Sequence, residues 1–285
     1  MSVRVIEERL KEYVITSQRD ELNAIKEIMQ EIALSALARA DFFKIAAFQG
    51  GTCLRVVHKL NRFSEDLDFL LKEPNRNFEW EPFLKSIESE LFLYEISCAM
   101  IDRSKADSAI KLAFLKDTSF GKVLVLKHPR GKSDQQTLTI KIEIDSNPPA
   151  GSNFEEVYVN FPYPFLITVQ DLPSLFASKC HALLCRPYVK GRDWYDLVWY
   201  VSKKIQPNFV HLQHALEQAG PWKGKKIECT SDWLIQALTD KIPSIDWDIA
   251  REDAMHFAAS FEQNGLKVWG NDFFYAVLER MKKSF

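Results

Sequence analysis

Two aspartates, Asp66 and Asp68, stand two apart within an apolar run that continues through Leu67, Phe69, Leu70 and Leu71. On an extended strand, positions two apart share a face, so both carboxylates project together while Leu67 and Phe69 turn toward a core. Carboxylates held side by side repel one another unless a divalent cation lies between them. That is the arrangement that holds Mg²⁺ against a nucleoside triphosphate. Upstream, Gly50-Gly51 separates the apolar run 42–48 from an amphipathic one. Two glycines between a strand and a helix let backbone N–H groups approach a phosphate closely, and the helix N-terminus adds partial positive charge. Thr52 is placed to cap that helix, which is expected to run to Leu60.

A second concentration of charge lies between Asp171 and Tyr200. Pro173 suits the first turn of a helix and Pro187 ends it. Lys179, Leu183 and Arg186 follow at helical spacing, which brings the ammonium and the guanidinium to one face. A further helix begins near Arg192, with Asp193 and Asp196 three apart on one side. The strand Thr139–Asp145 alternates strictly: Ile140, Ile142 and Ile144 face one way, and Lys141, Glu143 and Asp145 the other. Lys122, Lys127, Arg130 and Lys132 form a basic strand and loop suited to a nucleic-acid backbone. His211 and His214 lack acidic or cysteine partners at ligand spacing, and the tryptophans from Trp194 to Trp269 stand mostly in apolar helical patterns that read as core or partner surface.

The elements that must position these groups follow from period and composition. Residues 3–40 read as helix, and 42–48 as a short buried strand closed by the glycines. A strand over 67–71, a helix over 79–93 and strands at 110–115 and 122–127, joined by a polar turn at 116–121, come next. From Asp171 onward the pattern is almost wholly helical. The expected fold is α+β: a mixed sheet with helices over residues 1–170, then a helical domain over 171–285. Hydrophobic residues at 46% and charged ones at 27% supply a globular core. Thirty-seven basic against thirty-nine acidic residues leave a net charge of -2, so bulk electrostatics do not draw this chain onto nucleic acid. No apolar run reaches the ~20 residues of a membrane span, and the charged start lacks a signal-peptide core, so a cytoplasmic protein is expected. Five scattered cysteines read as buried residues in a reducing compartment rather than as zinc ligands or disulfides.

Taken together, Gly50-Gly51-Thr52 with Leu54, then Arg62-Phe63-Ser64-Glu65-Asp66-Leu67-Asp68-Phe69, resemble the core of the polymerase-beta-like nucleotidyltransferase superfamily. Within it they resemble the AbiEii/AbiGii toxin branch of abortive-infection and toxin–antitoxin systems. Fourteen residues, 52–65, separate Gly51 from Asp66, slightly more than in the wider superfamily, and that longer gap suits this branch. A second block of the same branch is matched by Lys179, Ala182, Leu183 and Arg186, then Arg192-Asp193 with Tyr195-Asp196-Leu197.

The resemblance implies a mixed nucleotidyltransferase sheet followed by a helical domain that contributes to the active site. It implies Mg²⁺ or Mn²⁺ at Asp66 and Asp68, with Glu143 or Asp145 as a third carboxylate. Phosphates fall to Gly50, Gly51, Thr52, Arg62, Ser64 and Lys179. The active-site aspartate is Asp193 or Asp196: Asp193 is preferred, and Asp196 supports it, paired with Arg192. Arg186 also supports the site. The implied activity is transfer of a nucleoside monophosphate from an NTP to a hydroxyl of RNA, the 3′ end of tRNA first, or of a protein. The implied partner is a cognate antitoxin. A non-catalytic nucleotide-binding module and a metal-dependent phosphohydrolase are the competing readings.

Overall fold

Seven strands, β1 (Ala46–Gln49), β2 (Leu67–Leu71), β3 (Cys98–Asp102), β4 (Ile110–Asp117), β5 (Leu138–Asp145), β6 (Phe154–Val159) and β7 (Phe165–Gln170), form one mixed sheet among the described residues. Their order is β3-β4-β5-β2-β1-β7-β6. The computed structural model describes residues 3–105, 108–117, 119–120, 124, 138–259 and 262–285. The central strand β2 pairs antiparallel with β1 and parallel with β5. The α+β class expected from the sequence is the one observed.

The chain divides into two compact units. The first comprises Met1–Lys59, Phe63–Pro148 and Glu156–Val169, and the second Leu60–Arg62, Pro149–Glu155 and Gln170–Phe285. In the first unit the sheet is joined by α1 (Val3–Leu10), α2 (Gln18–Arg39), α3 (Gly50–Val56) and α4 (Glu81–Phe92). The continuous helix expected over 3–40 is interrupted at 11–17. Ser17 restarts it, its side chain accepting the Asp20 N–H at 3.1 Å.

The strand expected over 42–48 is shortened for a packing reason. Phe42 and Phe43 are both buried, at 0% and 7% exposure, whereas neighbours on a strand face opposite sides. A 3-10 turn at Phe42–Lys44, entered through Asp41 at φ 59°, sends both rings inward. Phe42 then meets Phe69 at 4.9 Å and stacks on Trp80 at 5.8 Å. Burying each such ring contributes about 1.5–3 kcal/mol.

Strands β3, β6 and β7 have no counterpart in the expected elements. β3 and β6 are edge strands without a clean inside–outside alternation. β4 continues two residues past the expected 110–115. Its last residue, Asp117, is fully buried and accepts N–H groups of Ser119 at 2.8 Å and Phe120 at 3.0 Å. The strand expected at 122–127 and the basic group Lys122, Lys127, Arg130 and Lys132 lie outside the described residues.

The second unit holds α5 (Leu172–Cys185), α6 (Gly191–Ser202), α7 (Phe209–Gln218), α8 (Ser231–Lys241), α9 (Trp247–Met255), α10 (Gln263–Leu266) and α11 (Asn271–Lys282). Asp171 caps α5 by accepting the Ser174 N–H at 2.9 Å, with Pro173 in the first turn. Asn208, Thr230 and Asp246 cap α7, α8 and α9 in the same way. Trp247, half-buried, stacks on Phe274 at 4.3 Å, with Trp194 edge-on at 5.1 Å, and Trp194 and Phe274 are core. Among the described residues no helix is long and apolar enough to cross a membrane.

Candidate functional site

The first unit gathers the carboxylates around β2. Leu67 and Phe69 are 0% and 1% exposed, while Asp68 between them is half-buried on the other face. The register sets Asp68 opposite Gln49 on β1 and Glu143 on β5. Gly50 turns at φ +78°, and a Cβ there would stand 2.9 Å from the Cβ of Asp68 and closer still to its carboxylate. Only glycine tolerates both that backbone conformation and that approach. Thr52 is fully buried inside α3, and its hydroxyl donates to the backbone carbonyl of Asp66. It therefore neither caps the helix, which starts at Gly50 and ends at Val56, nor presents its hydroxyl to a phosphate. Its job is to hold Asp66 in place. Ser64 is half-buried, and its backbone carbonyl accepts from Gln30 Nε2 at 3.3 Å.

Lys141 adds a cation to this sheet face. Its Nζ lies 2.7 Å from the Glu143 carboxylate on the same face of β5. Desolvation acts to lower the Lys141 pKa, but the hydrogen bond to Glu143 and the charges of Glu143, Asp66 and Asp68 hold it above the usual lysine range. Glu143 is its ion-pair partner, and the charges of Asp66 and Asp68 act on it as well. That donor set suits a hard divalent ion with oxygen ligands. Among the described residues no three His, Cys, Asp or Glu side chains are drawn together tightly enough to hold a metal. Asp145 is differently engaged: it pairs with Leu70 in register, burial pushes its carboxyl up, and it accepts the Asn147 N–H at 2.9 Å. Sequence reasoning placed Lys141 on the right face without assigning it a role. An opposite charge two residues away on a strand was the available signal.

The second unit contains a buried charge network. Lys179 Nζ lies 2.6 Å from Asp193 and 2.8 Å from Asp196. Arg62 donates to both oxygens of Asp196, from Nε at 2.7 Å and Nη2 at 2.6 Å. Arg186 lies 3.0 Å from the second oxygen of Asp193. Asp193, Asp196 and Arg62 are each no more than 2% exposed. Burial works against the charges of Arg62, Lys179 and Asp193, and the partners outweigh it. Desolvation favours a lower Lys179 pKa, yet Asp193 and Asp196 raise it. Desolvation favours a higher Asp193 pKa, yet Lys179 and Arg186 lower it. Both aspartates offered by the sequence therefore hold Lys179, and they differ in their other partner.

Arg62, expected as a phosphate contact, holds a buried carboxylate. Asp196, expected beside Arg192, pairs with Arg62 and Lys179, and the Arg192 guanidinium lies 3.5 Å from Asp253. Those partnerships span the chain, so nearest-neighbour reasoning could not find them. His211 is buried, with its ring nitrogens 3.1 Å from the Ala150 carbonyl and 3.2 Å from Gln170 Nε2, which is a structural role. All five cysteines are free.

A family model described as nucleotidyl transferase AbiEii toxin, type IV toxin–antitoxin system, matches residues 32–274. Among solved structures, JHP933 from Helicobacter pylori is 18% identical, with 92% of this chain and 90% of that chain covered and a TM-score of 0.47. MenT4, a nucleotidyltransferase toxin from Mycobacterium tuberculosis, is 13% identical, with 99% of each chain covered and a TM-score of 0.46. No curated protein matches.

Proposed function

We propose, from the premise that the chain belongs to the AbiEii nucleotidyl transferase toxin family, that it transfers a nucleoside monophosphate from an NTP to an RNA hydroxyl. Family membership makes the chain a nucleotidyltransferase. The acceptor, the metal and the residue roles are our reading. The observation that carries it is the packing of the Gly50 turn against Asp68, with Glu143 opposite Asp68 in register.

In the transfer, the acceptor oxygen bonds to the α-phosphorus as the bond to the bridging oxygen breaks. Pyrophosphate leaves, and the hydroxyl proton passes to water. A divalent ion, Mg²⁺ or Mn²⁺, supplies the positive charge that acidifies the acceptor hydroxyl and balances the pyrophosphate. Asp66, Asp68 and Glu143 are the residues suited to hold it, with Glu143 preferred over Asp145 because it stands opposite Asp68 in register. Gly50 keeps space beside Asp68, Thr52 anchors Asp66, and the Gly50-Gly51 turn offers backbone N–H groups to phosphate. Ser64 is retained as a phosphate contact. Lys179, held charged by its two aspartates, is suited to neutralise phosphate oxygens. Asp193, with Arg186 behind it, orients that ammonium, and Asp196 does the same with Arg62.

The acceptor proposed first is the 3′ end of tRNA, and the setting is a cytoplasmic toxin countered by a cognate antitoxin in an abortive-infection system. The test is to incubate the protein with each α-³²P-labelled NTP, Mg²⁺ and total cellular RNA and protein, beside Asp68→Ala and Lys179→Ala. Label in a tRNA-sized band, lost in both variants, is expected. Label in a protein band keeps the chemistry and moves the acceptor. Release of free nucleotide without a tagged acceptor would identify a phosphohydrolase.

A further inference from the structure

The connection between α5 and α6, Arg186-Pro187-Tyr188-Val189-Lys190, carries two side chains that the charge network does not use. Tyr188 is 63% exposed, and the Arg186 guanidinium lies 5.8 Å from its centroid. Arg186 is itself fixed by Asp193 at 3.0 Å, and Asp193 by Lys179. The ring is therefore supported from a rigid base while much of its surface stays open. A cation near an aromatic ring also favours stacking of another π-system on it.

Lys190 is half-buried at the start of α6, where its backbone carbonyl accepts the Asp193 N–H at 3.0 Å. The acids of the network are taken by other cations: Asp193 by Lys179 and Arg186, Asp196 by Lys179 and Arg62, and Asp253 by Arg192. Lys190 adds a fifth cation to these three acids. Desolvation and the charges of Arg192, Arg186 and Lys179 draw its ammonium below the usual lysine range, with Asp193 acting in the other direction. A surplus of positive charge at a partly dry position is relieved by an anion.

We propose that this loop is a nucleotide-reading subsite, in which Lys190 takes a phosphate oxygen and Tyr188 stacks against a nucleobase. The proposal rests on the nucleotidyl-transfer reading of the neighbouring Lys179 network and deepens it. The base belongs either to the incoming NTP or to the RNA acceptor, since the chemistry that recognises them is shared. Neither Tyr188 nor Lys190 belongs to the two sequence blocks that carry the family resemblance.

The test is equilibrium binding to the full chain of each of the four NTPs, with Mg²⁺, and separately of bulk tRNA. The variants are Tyr188→Ala, Tyr188→Trp, Lys190→Met and Lys190→Arg, each checked by thermal melting. Tyr188→Ala is expected to weaken one of the two ligand classes about fivefold or more, with Tyr188→Trp restoring it. Lys190→Met is expected to weaken the same class and to remove roughly one ion from its salt dependence, with Lys190→Arg close to wild type. Loss confined to NTP assigns the base to the substrate, and loss confined to tRNA assigns it to the acceptor. Unchanged binding in both arms overturns the subsite, as does an equal loss in the conservative and the disruptive variants. If the wild type labels RNA while all four variants bind like it, this inference alone falls. If the wild type binds neither NTP nor tRNA, the nucleotidyl-transfer reading falls with it.

Discussion

Gly50 approaches Asp68 so closely that a methyl group on its Cα would stand 2.9 Å from the Asp68 Cβ, with the backbone of Gly50 at φ +78°. The glycine turn and the carboxylate strand are therefore one device: the first leaves the room in which the second holds its side chain. Gly50→Ala meets two penalties, the left-handed backbone at about 1–2 kcal/mol and displacement of the carboxylate. Loss of nucleotidyl transfer by more than about tenfold is expected, since small misplacements of reacting groups are costly. A labelling assay beside a denaturant melt checks it, and a stable, fully active Gly50→Ala would remove Asp68 from the chemistry.

Lys141 pairs with Glu143, and the charges of Asp66 and Asp68 also hold it above the usual lysine range. Replacing it with methionine removes the internal counter-ion and leaves the carboxylates repelling one another. The Lys141→Met protein is expected to melt lower than wild type without metal and to gain more from Mg²⁺, because binding to the folded state alone raises stability. Thermal melts with and without Mg²⁺, beside Mn²⁺, read this directly. Equal Mg²⁺ shifts in wild type and variant would mean that the metal is held elsewhere.

How much of this was legible in the chain depends on the range of the interaction. The face shared by Asp66 and Asp68 follows from a period of two, and β5 announced itself by strict alternation, as did Asp171 and Pro173 at the start of α5. These are local rules, readable within a few residues. Phe42 was misplaced because a 3-10 turn, needed to bury two adjacent rings, breaks the strand period. Edge strands β3 and β6 carry no two-sided burial to read. The partnership of Arg62 with Asp196 spans 134 residues, and nothing in local spacing encodes it. The register that sets Glu143 opposite Asp68 is likewise a long-range property.

That long-range pair is itself open to test. The side chains of Arg62 and Asp196 are 3% and 0% exposed, and the guanidinium makes two bonds to the carboxylate. Removing one partner of a buried pair leaves an under-compensated charge, and Arg62→Met is expected to destabilise by about 3–5 kcal/mol, softened by Lys179 on the same aspartate. Arg62→Lys is expected to recover little, because an ammonium cannot reproduce the two-pronged contact. Urea melts of the second unit's signal, followed by its tryptophans, decide it. A wild-type midpoint for Arg62→Met would show that the pair is dispensable to folding.

The same network sets how stability responds to acid and alkali. Burial raises the Asp193 carboxyl and Lys179 and Arg186 lower it, with the lowering prevailing. A carboxyl with a depressed folded pKa contributes stability above its unfolded value of about 3.9, and that contribution is lost as pH falls through the folded value. For Lys179, desolvation lowers and Asp193 and Asp196 raise, and the net rise has the opposite consequence. Its contribution is complete below the unfolded value of about 10.4 and is lost as pH climbs through the raised one. The ion pair therefore stabilises the second unit throughout the neutral range and yields only at the extremes. Urea unfolding of wild type and Asp193→Asn between neutral pH and acid is the measurement. Wild-type stability is expected to fall more steeply than that of the variant once the pH drops below about 4, since the asparagine cannot titrate. Parallel curves would mean that Asp193 is not held ionised by Lys179, and the role given to that ammonium would have to be reassigned.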